Sequence, residues 1–205
     1  MEPEEQSTSS PYEWIRRKRV SQDFFYPTEL TDCILVVEGM QLFVNMAFLG
    51  QHSSYFEELF DNSAEENKFV LEGVRIREFH DFLVALHPNR GPIEGRKVEH
   101  LLRLAHRFET IDIINDVSLF LIGSAAISDA HLIDVVRVAD RHSLKDVVES
   151  IINTVKNPRI LMILRKINDF SSSTKADIYH RLRALDAMGQ SGDRKASKSK
   201  KKKLK

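Results

Sequence analysis

The sequence predicts an α+β fold: a small β-sheet of about three strands, flanked by helices and followed by an α-helical extension. Three features carry this reading. Two dense apolar runs separated by a glycine lie within 33–44, a further short run ends at Gly73, and from Phe79 onward the apolar residues recur at helical spacing.

Cys33-Ile34-Leu35-Val36-Val37 is short and β-branched, and the Glu38-Gly39 break leads straight into Leu42-Phe43-Val44, which predicts a β-hairpin. Between 46 and 60 the apolar residues Phe48, Leu49, Tyr55, Phe56, Leu59 and Phe60 are too crowded for strand alternation. Two short helices follow, with Ser53 or Ser54 capping the second. Lys68 to Glu72, closed by Gly73, predicts a third strand at an edge of the sheet. The next helix carries Phe79, Phe82, Leu83 and Leu86 and is stopped by Pro88.

Val98, Leu101, Leu102, Ala105 and Phe108 then share one helical face, and Ile113, Ile114, Val117 and Leu121 continue as a second helix. A shift of 34 residues superposes this helical hairpin on the next: Leu101 on Val135, Leu102 on Val136, Ala105 on Ala139, Arg107 on Arg141, Asp112 on Asp146, Ile113 on Val147 and Val117 on Ile151. Two copies are too few for a self-supporting array, so the pair reads as an extension of the sheet domain. Pro158 breaks the pattern, a short amphipathic piece holds Ile160, Ile163, Leu164 and Ile167, and a last helix bears Ile178, Leu182 and Leu185.

The domain organisation read from these elements is a flexible arm at 1–27, a folded domain at 28–125, a helical extension at 126–188 and a disordered lysine-rich tail at 189–205. The arm holds Tyr12, Trp14, a basic run at 16–19, and Phe24, Phe25 and Tyr26. Either it docks its aromatics on the domain, or it is a short linear motif for a partner or importin. At 205 residues, 42% hydrophobic and 29% charged, the chain is long enough for a substantial core. No apolar run is long enough to cross a bilayer, and the acidic start (Glu2, Glu4, Glu5) lacks the pattern of a secretory signal. The lone Cys33 supports neither an internal disulfide nor a cysteine-based zinc site, which points to a reducing compartment.

The formal net charge of zero conceals an asymmetry, because residues 191–205 hold eight basic residues against Asp193. Such a block repels itself and is expected to stay solvated. Lys200, Lys201, Lys202 and Lys203 resemble a nuclear import signal, and the tail would also attract nucleic acid weakly; a merely solubilising tail is the plain alternative. The residues predict no catalytic chemistry. The eight glycines form no phosphate-binding loop, His52 beside Ser53 and Ser54 has no nucleophile elbow, and the eight histidines show no metal-binding spacing. No cofactor, metal, small-molecule substrate or membrane is therefore expected.

The string Asp32-Cys-Ile-Leu-Val-Val-Glu-Gly39, then Leu42-Phe-Val-Asn45, then Leu49-x-x-x-Ser53-x-Tyr55-Phe56 and Leu59-Phe60, closely resembles a BTB (POZ) domain. Leu86-His87-Pro88-Asn89 falls where many members end the next helix with Tyr-Pro, and its wording, like the hairpin's, is nematode-like. The resemblance covers about 28–125, and residues 126–156 look like the helical pair that often trails the domain in adaptor proteins.

The resemblance implies a non-enzymatic interaction module that pairs with itself or another BTB protein, and in many members also holds a cullin ubiquitin-ligase scaffold. Its dimer contacts would fall on Ala47, Phe48 and Gln51 of the first helix, with Asp32 and Met46 nearby. Members often carry a basic residue after the Asn45 position that pairs with the counterpart of Asp32; here it is Met46, so a buried Asp32 would need another donor. Cullin contacts would fall on Ala64 and Glu66, and alanine in place of a larger apolar anchor forgoes roughly 1–2 kcal/mol at about 25 cal/mol per Å². Either a ubiquitin-ligase adaptor or a nuclear, chromatin-associated scaffold using the basic tail is consistent with this, located in the cytoplasm, the nucleus or both.

Overall fold

The computed structural model describes residues 24–63, 66–88, 90–125 and 128–202, with side chains to 187. The chain forms two compact units: one runs up to Gly91 and takes in Phe108–Thr110, and the other comprises Pro92–Arg107 and Ile111 onward.

The first unit is built on a three-stranded sheet in the order β2-β1-β3. Strands β1 (Cys33–Val37) and β2 (Met40–Val44) pair antiparallel, with Leu35 opposite Leu42. Glu38 and Gly39 both take positive φ, at 49° and 77°. A two-residue turn of that kind matches the right-handed twist of the flanking strands, and glycine adopts it without steric cost. Alternation buries Cys33, Leu35 and Val37 on one face with Leu42 and Val44.

Helices α1 (Met46–His52) and α2 (Ser54–Asp61) then carry the chain across to β3 (Lys68–Val70), which runs parallel to β1 with Leu35 opposite Phe69. β2 and β3 lie on opposite sides of β1, so the two helices are the connection that carries the chain past the central strand. β3 lies at the edge as expected but ends at Val70; Leu71 still donates its N–H to the Val36 carbonyl at 2.9 Å. Helix α3 (Ile76–Leu86) closes the unit, its first N–H donating to the Glu38 carboxylate at 2.9 Å.

The core beneath the sheet is aromatic. Phe56, Phe79, Phe82 and Phe108 are all fully buried, with the Phe108 ring 5.1 Å from Phe56 and 5.4 Å from Phe82, centre to centre. The Phe24 and Phe25 part of the arm docks on this unit: the Phe43 N–H donates to the Phe24 carbonyl at 2.7 Å, and both rings pack on His80. Residues 1–23, including Tyr12, Trp14 and the basic run, lie outside the described residues.

The second unit is helical throughout. Helices α4 (Val98–Arg107) and α5 (Ile111–Ala125) form the first hairpin, and α6 (Asp129–Arg141) and α7 (Lys145–Thr154) the second. Every apolar pair of the 34-residue repeat is buried at both positions, from Leu101 and Val135 to Val117 and Ile151. The repeat also extends to the backbone: Glu109 and Ser143, in corresponding inter-helix turns, both take positive φ, 50° and 59°. Glu99 of α4 ties the two copies together, bonding Arg141 at 2.5 Å and His142 at 2.9 Å.

Helix α8 (Pro158–Arg165) starts with proline in its first turn under an Asn157 cap. Helix α9 runs Ser172–Lys202, so its backbone is helical well into the stretch read from sequence as a disordered tail. Lysine, serine and alanine are all compatible with helix, and it is charge repulsion that opposes it there.

Candidate protein interaction surface

The surface around α1 gathers the residues picked out from the sequence. Asn45 fixes the start of the helix: its Oδ1 accepts the Phe48 N–H at 2.8 Å, and its Nδ2 donates to the Leu30 carbonyl at 2.7 Å. One amide side chain thus sets the helix and anchors the turn before β1. That turn is closed by Thr31, whose hydroxyl donates to the Thr28 carbonyl at 2.9 Å.

Asp32 is exposed, not buried, and its Oδ1 accepts the Met46 N–H at 2.8 Å. The missing basic residue is therefore replaced by a backbone donor at the positive end of α1, and no desolvated, unpaired carboxylate arises. Met46 is half-buried; Ala47 and Gln51, one helical turn apart, are both exposed. Phe48 points the other way, half-buried in the wall of a groove.

The groove encloses about 500 Å³. Phe24, Phe43, Phe48, Leu49, Leu83 and His87 form its walls, with Tyr26 and Leu30 at its rim. Among the described residues lining it there is no Asp, Glu, Lys or Arg. Leu30 is 78% exposed and Tyr26 67%, two large apolar side chains left to solvent beside one groove. The Phe48 ring lies 4.7 Å from His52 and 6.2 Å from His87. Burial holds the His87 imidazole below its ordinary value.

Sequence reasoning located the helix but not the groove. Its far wall comes from β2, α3 and the arm, which no local pattern links to α1; the signal at hand was the aromatic cluster at 24–26, read as a docking arm without a destination.

The other candidates lie elsewhere. Glu66 is exposed, its N–H donating to the Ser63 carbonyl at 2.8 Å, while Ala64 falls outside the described residues. Phe56 is fully buried in the core, with the half-buried Tyr55 edge-on to Phe108 at 5.1 Å. Lys200, Lys201 and Lys202 fall on the helical backbone of α9 and Lys203 outside the described residues. Burial, with Asp32 adding, pushes the Cys33 thiol up to about 11, which makes it a poor nucleophile. Among the described residues no group of three His, Cys, Asp or Glu is placed to hold a metal, and no helix is long and apolar enough to cross a membrane.

Comparison with known proteins bears on the same region. The BTB/POZ domain model matches residues 22–125. BTB and MATH domain-containing protein 38 of Caenorhabditis elegans is 27% identical over 161 residues, which cover 76% of this chain and 41% of that protein. BTB and MATH domain-containing protein 36 of the same organism is 28% identical over 159 residues, 76% of this chain and 49% of that one. The chain thus spans less than half the length of either relative. Among solved structures, the BTB (Tramtrack and Bric a brac) domain of human Gigaxonin is 18% identical at a TM-score of 0.40, covering 44% of this chain and 77% of its own. With the family model matching half the chain, and with the hairpin, crossover helices and parallel third strand in place, this protein belongs to the BTB/POZ family.

Proposed function

We propose that the chain pairs with a second copy, or with another BTB protein, through the α1 groove and serves in that form as an interaction adaptor. A BTB domain is a protein-interaction and dimerisation module. One observation carries the choice of surface: hole and knob occur on a single patch. The uncharged groove beside Phe48 has the exposed Leu30 and Tyr26 at its own rim. A two-fold interface needs such a self-complementary patch, since each copy offers the other the same surface. Exposed Ala47 and Gln51 supply an uncharged contact along α1. Sedimentation velocity on the full chain tests this: the wild type should sediment as a dimer and Leu30→Glu as a monomer. Leu30 is so exposed that its replacement leaves the fold alone. A monomeric wild type, or a Leu30→Glu protein that still pairs, overturns the assignment.

A second reading, adaptor for a cullin-based ubiquitin ligase, is supported by the exposure of Glu66 in the loop after α2. Calorimetric titration with the N-terminal domain of a cullin scaffold checks it, and Ala64→Met should tighten binding. A nuclear or chromatin-associated scaffold is supported by the basic block at 191–205. Unchanged nuclear entry after its removal sinks the import role.

A further inference from the structure

We infer that the outer edge of β3 is a second, weaker self-association surface: the same strand of another copy adds to it antiparallel about a two-fold axis at Val70, with Lys68 of each copy facing Glu72 of the other. This contact uses neither α1 nor its groove.

β3 is an edge of the three-stranded sheet, and β2 is the opposite edge. At the β2 edge the Phe43 N–H is already taken by the Phe24 carbonyl. Beside β3, the Ile34 N–H donates to the Asn67 carbonyl at 2.8 Å and the Leu71 N–H donates to the Val36 carbonyl at 2.9 Å. Backbone groups alternate along a strand, so Asn67, Phe69 and Leu71 serve β1, whereas the N–H and C=O of Lys68 and Val70 point outward. The side chains alternate in step: Phe69 and Leu71 are buried, and Lys68, Val70 and Glu72 are exposed on the other face. Val70 is 67% exposed. An outward row of backbone donors and acceptors beside a bare β-branched side chain is a template for one more strand.

The charges choose that strand. Lysine on an edge strand ordinarily keeps a second strand away. Along this exposed face, however, Lys68, Val70 and Glu72 run basic, apolar and acidic in equal steps, a row complementary to its own reverse. A copy laid antiparallel with Val70 opposite Val70 sets each Lys68 across from a Glu72, whereas a copy laid parallel in register would set lysine on lysine. Within one chain the two stand about 13 Å apart along extended backbone, out of ion-pair reach, and it is across the axis that they meet. Glu72 has a contact in its own chain; a carboxylate offers about four acceptor positions, so it can keep that contact and receive Lys68 as well. Gly73, at φ 67°, turns the chain after Glu72 and limits the paired stretch to 68–72. An interface this small is transient, with a dissociation constant on the order of a few hundred micromolar.

Sedimentation equilibrium on the full chain at about 10 µM and about 500 µM provides the test, with circular dichroism to confirm that every protein is folded. The lower concentration lies well below the expected dissociation constant, so the mass there reports pairing through α1 alone. At the higher one the wild-type weight-average mass should rise about 1.5-fold or more above its own value at the lower. Val70→Lys, which sets two lysines facing each other across the axis, should rise by under about 1.1-fold. Lys68→Glu and Glu72→Lys should each lose the rise alone, because each opposes like charges, and an equimolar mixture of the two should regain it. A wild type whose mass is the same at both concentrations overturns the proposal, as does a Val70→Lys protein that rises like the wild type. A mixture that stays at the mass of its separate components overturns the two-fold register at Val70. A monomer at the lower concentration would overturn pairing through α1 and leave each of these outcomes to be read in the same way.

Discussion

The Ser53 hydroxyl donates to the carbonyl of Phe108, 55 residues further along the chain, at 2.5 Å. The same oxygen accepts the Phe56 N–H at 3.2 Å and so caps α2. One buried side chain both starts a helix and pins the segment that delivers a core phenylalanine.

Ser53→Ala removes both bonds. Thr110 Oγ1 still donates to the Phe108 carbonyl at 3.2 Å, so that acceptor keeps a partner and the loss is mainly the cap and one buried hydrogen bond. The expected cost is about 1–3 kcal/mol in urea-induced unfolding, with the slope of the transition unchanged.

Phe108→Ala should be the more severe change. Its ring contacts those of Phe56, Phe79 and Phe82 in a fully buried cluster, with centres 5.1–5.5 Å apart. Emptying that volume costs about 3–5 kcal/mol, and Phe108→Leu, which refills part of it, should recover some of the loss in the same unfolding measurement.

Ser143→Gly should stabilise the protein. A non-glycine residue at φ 59° carries steric strain of roughly 1–2 kcal/mol that glycine avoids, offset in part by glycine's greater freedom when unfolded. A net gain of about 0.5–1 kcal/mol is expected by thermal unfolding, and Ser143→Val should lose stability instead.

Asp140 supplies a pH-dependent test. Burial disfavours its charge, but hydrogen bonds from the Ser171 and Thr174 hydroxyls and the Ser171 N–H, with Lys175 nearby, outweigh this and hold the carboxyl below its ordinary value. A depressed carboxyl stabilises the fold above its unfolded value of about 4, and that stabilisation fades as the pH falls through the folded value. Asp140→Asn should therefore cost about 1 kcal/mol near pH 7, and the two unfolding curves should converge in strong acid.

Local features were the legible ones. Glu38-Gly39 marked the hairpin because only a few residue pairs suit two successive positive φ values, and Pro88 marked the end of α3. The helical repeat was plain because burial imposes the same apolar spacing on both copies, and its recurrence at Glu109 and Ser143 shows that it reaches into the turns. The parallel pairing of β3 was not legible: three residues carry no directional signal, and it is the crossover helices that decide it. At the candidate surface, Ala47, Phe48 and Gln51 could be placed by position along α1. The bond from Met46 to Asp32 escaped notice because a backbone N–H leaves no trace in residue type. Leu86-His87-Pro88-Asn89 placed His87 at the end of α3, but its position in the groove wall depends on three separate segments and leaves no local pattern.

The assignment of Phe108–Thr110 to the first unit while the residues on either side belong to the second bears on how the molecule can be dissected. A recombinant fragment ended at Gly91, where the chain first leaves that unit, would carry a sheet whose aromatic core lacks one of its rings. Its shortest self-sufficient form must continue past Thr110 and so carry α4 along with it. The two units are distinct as packed bodies but are threaded together as a polypeptide, so a protease that nicks between them at 91 should release no stable N-terminal piece.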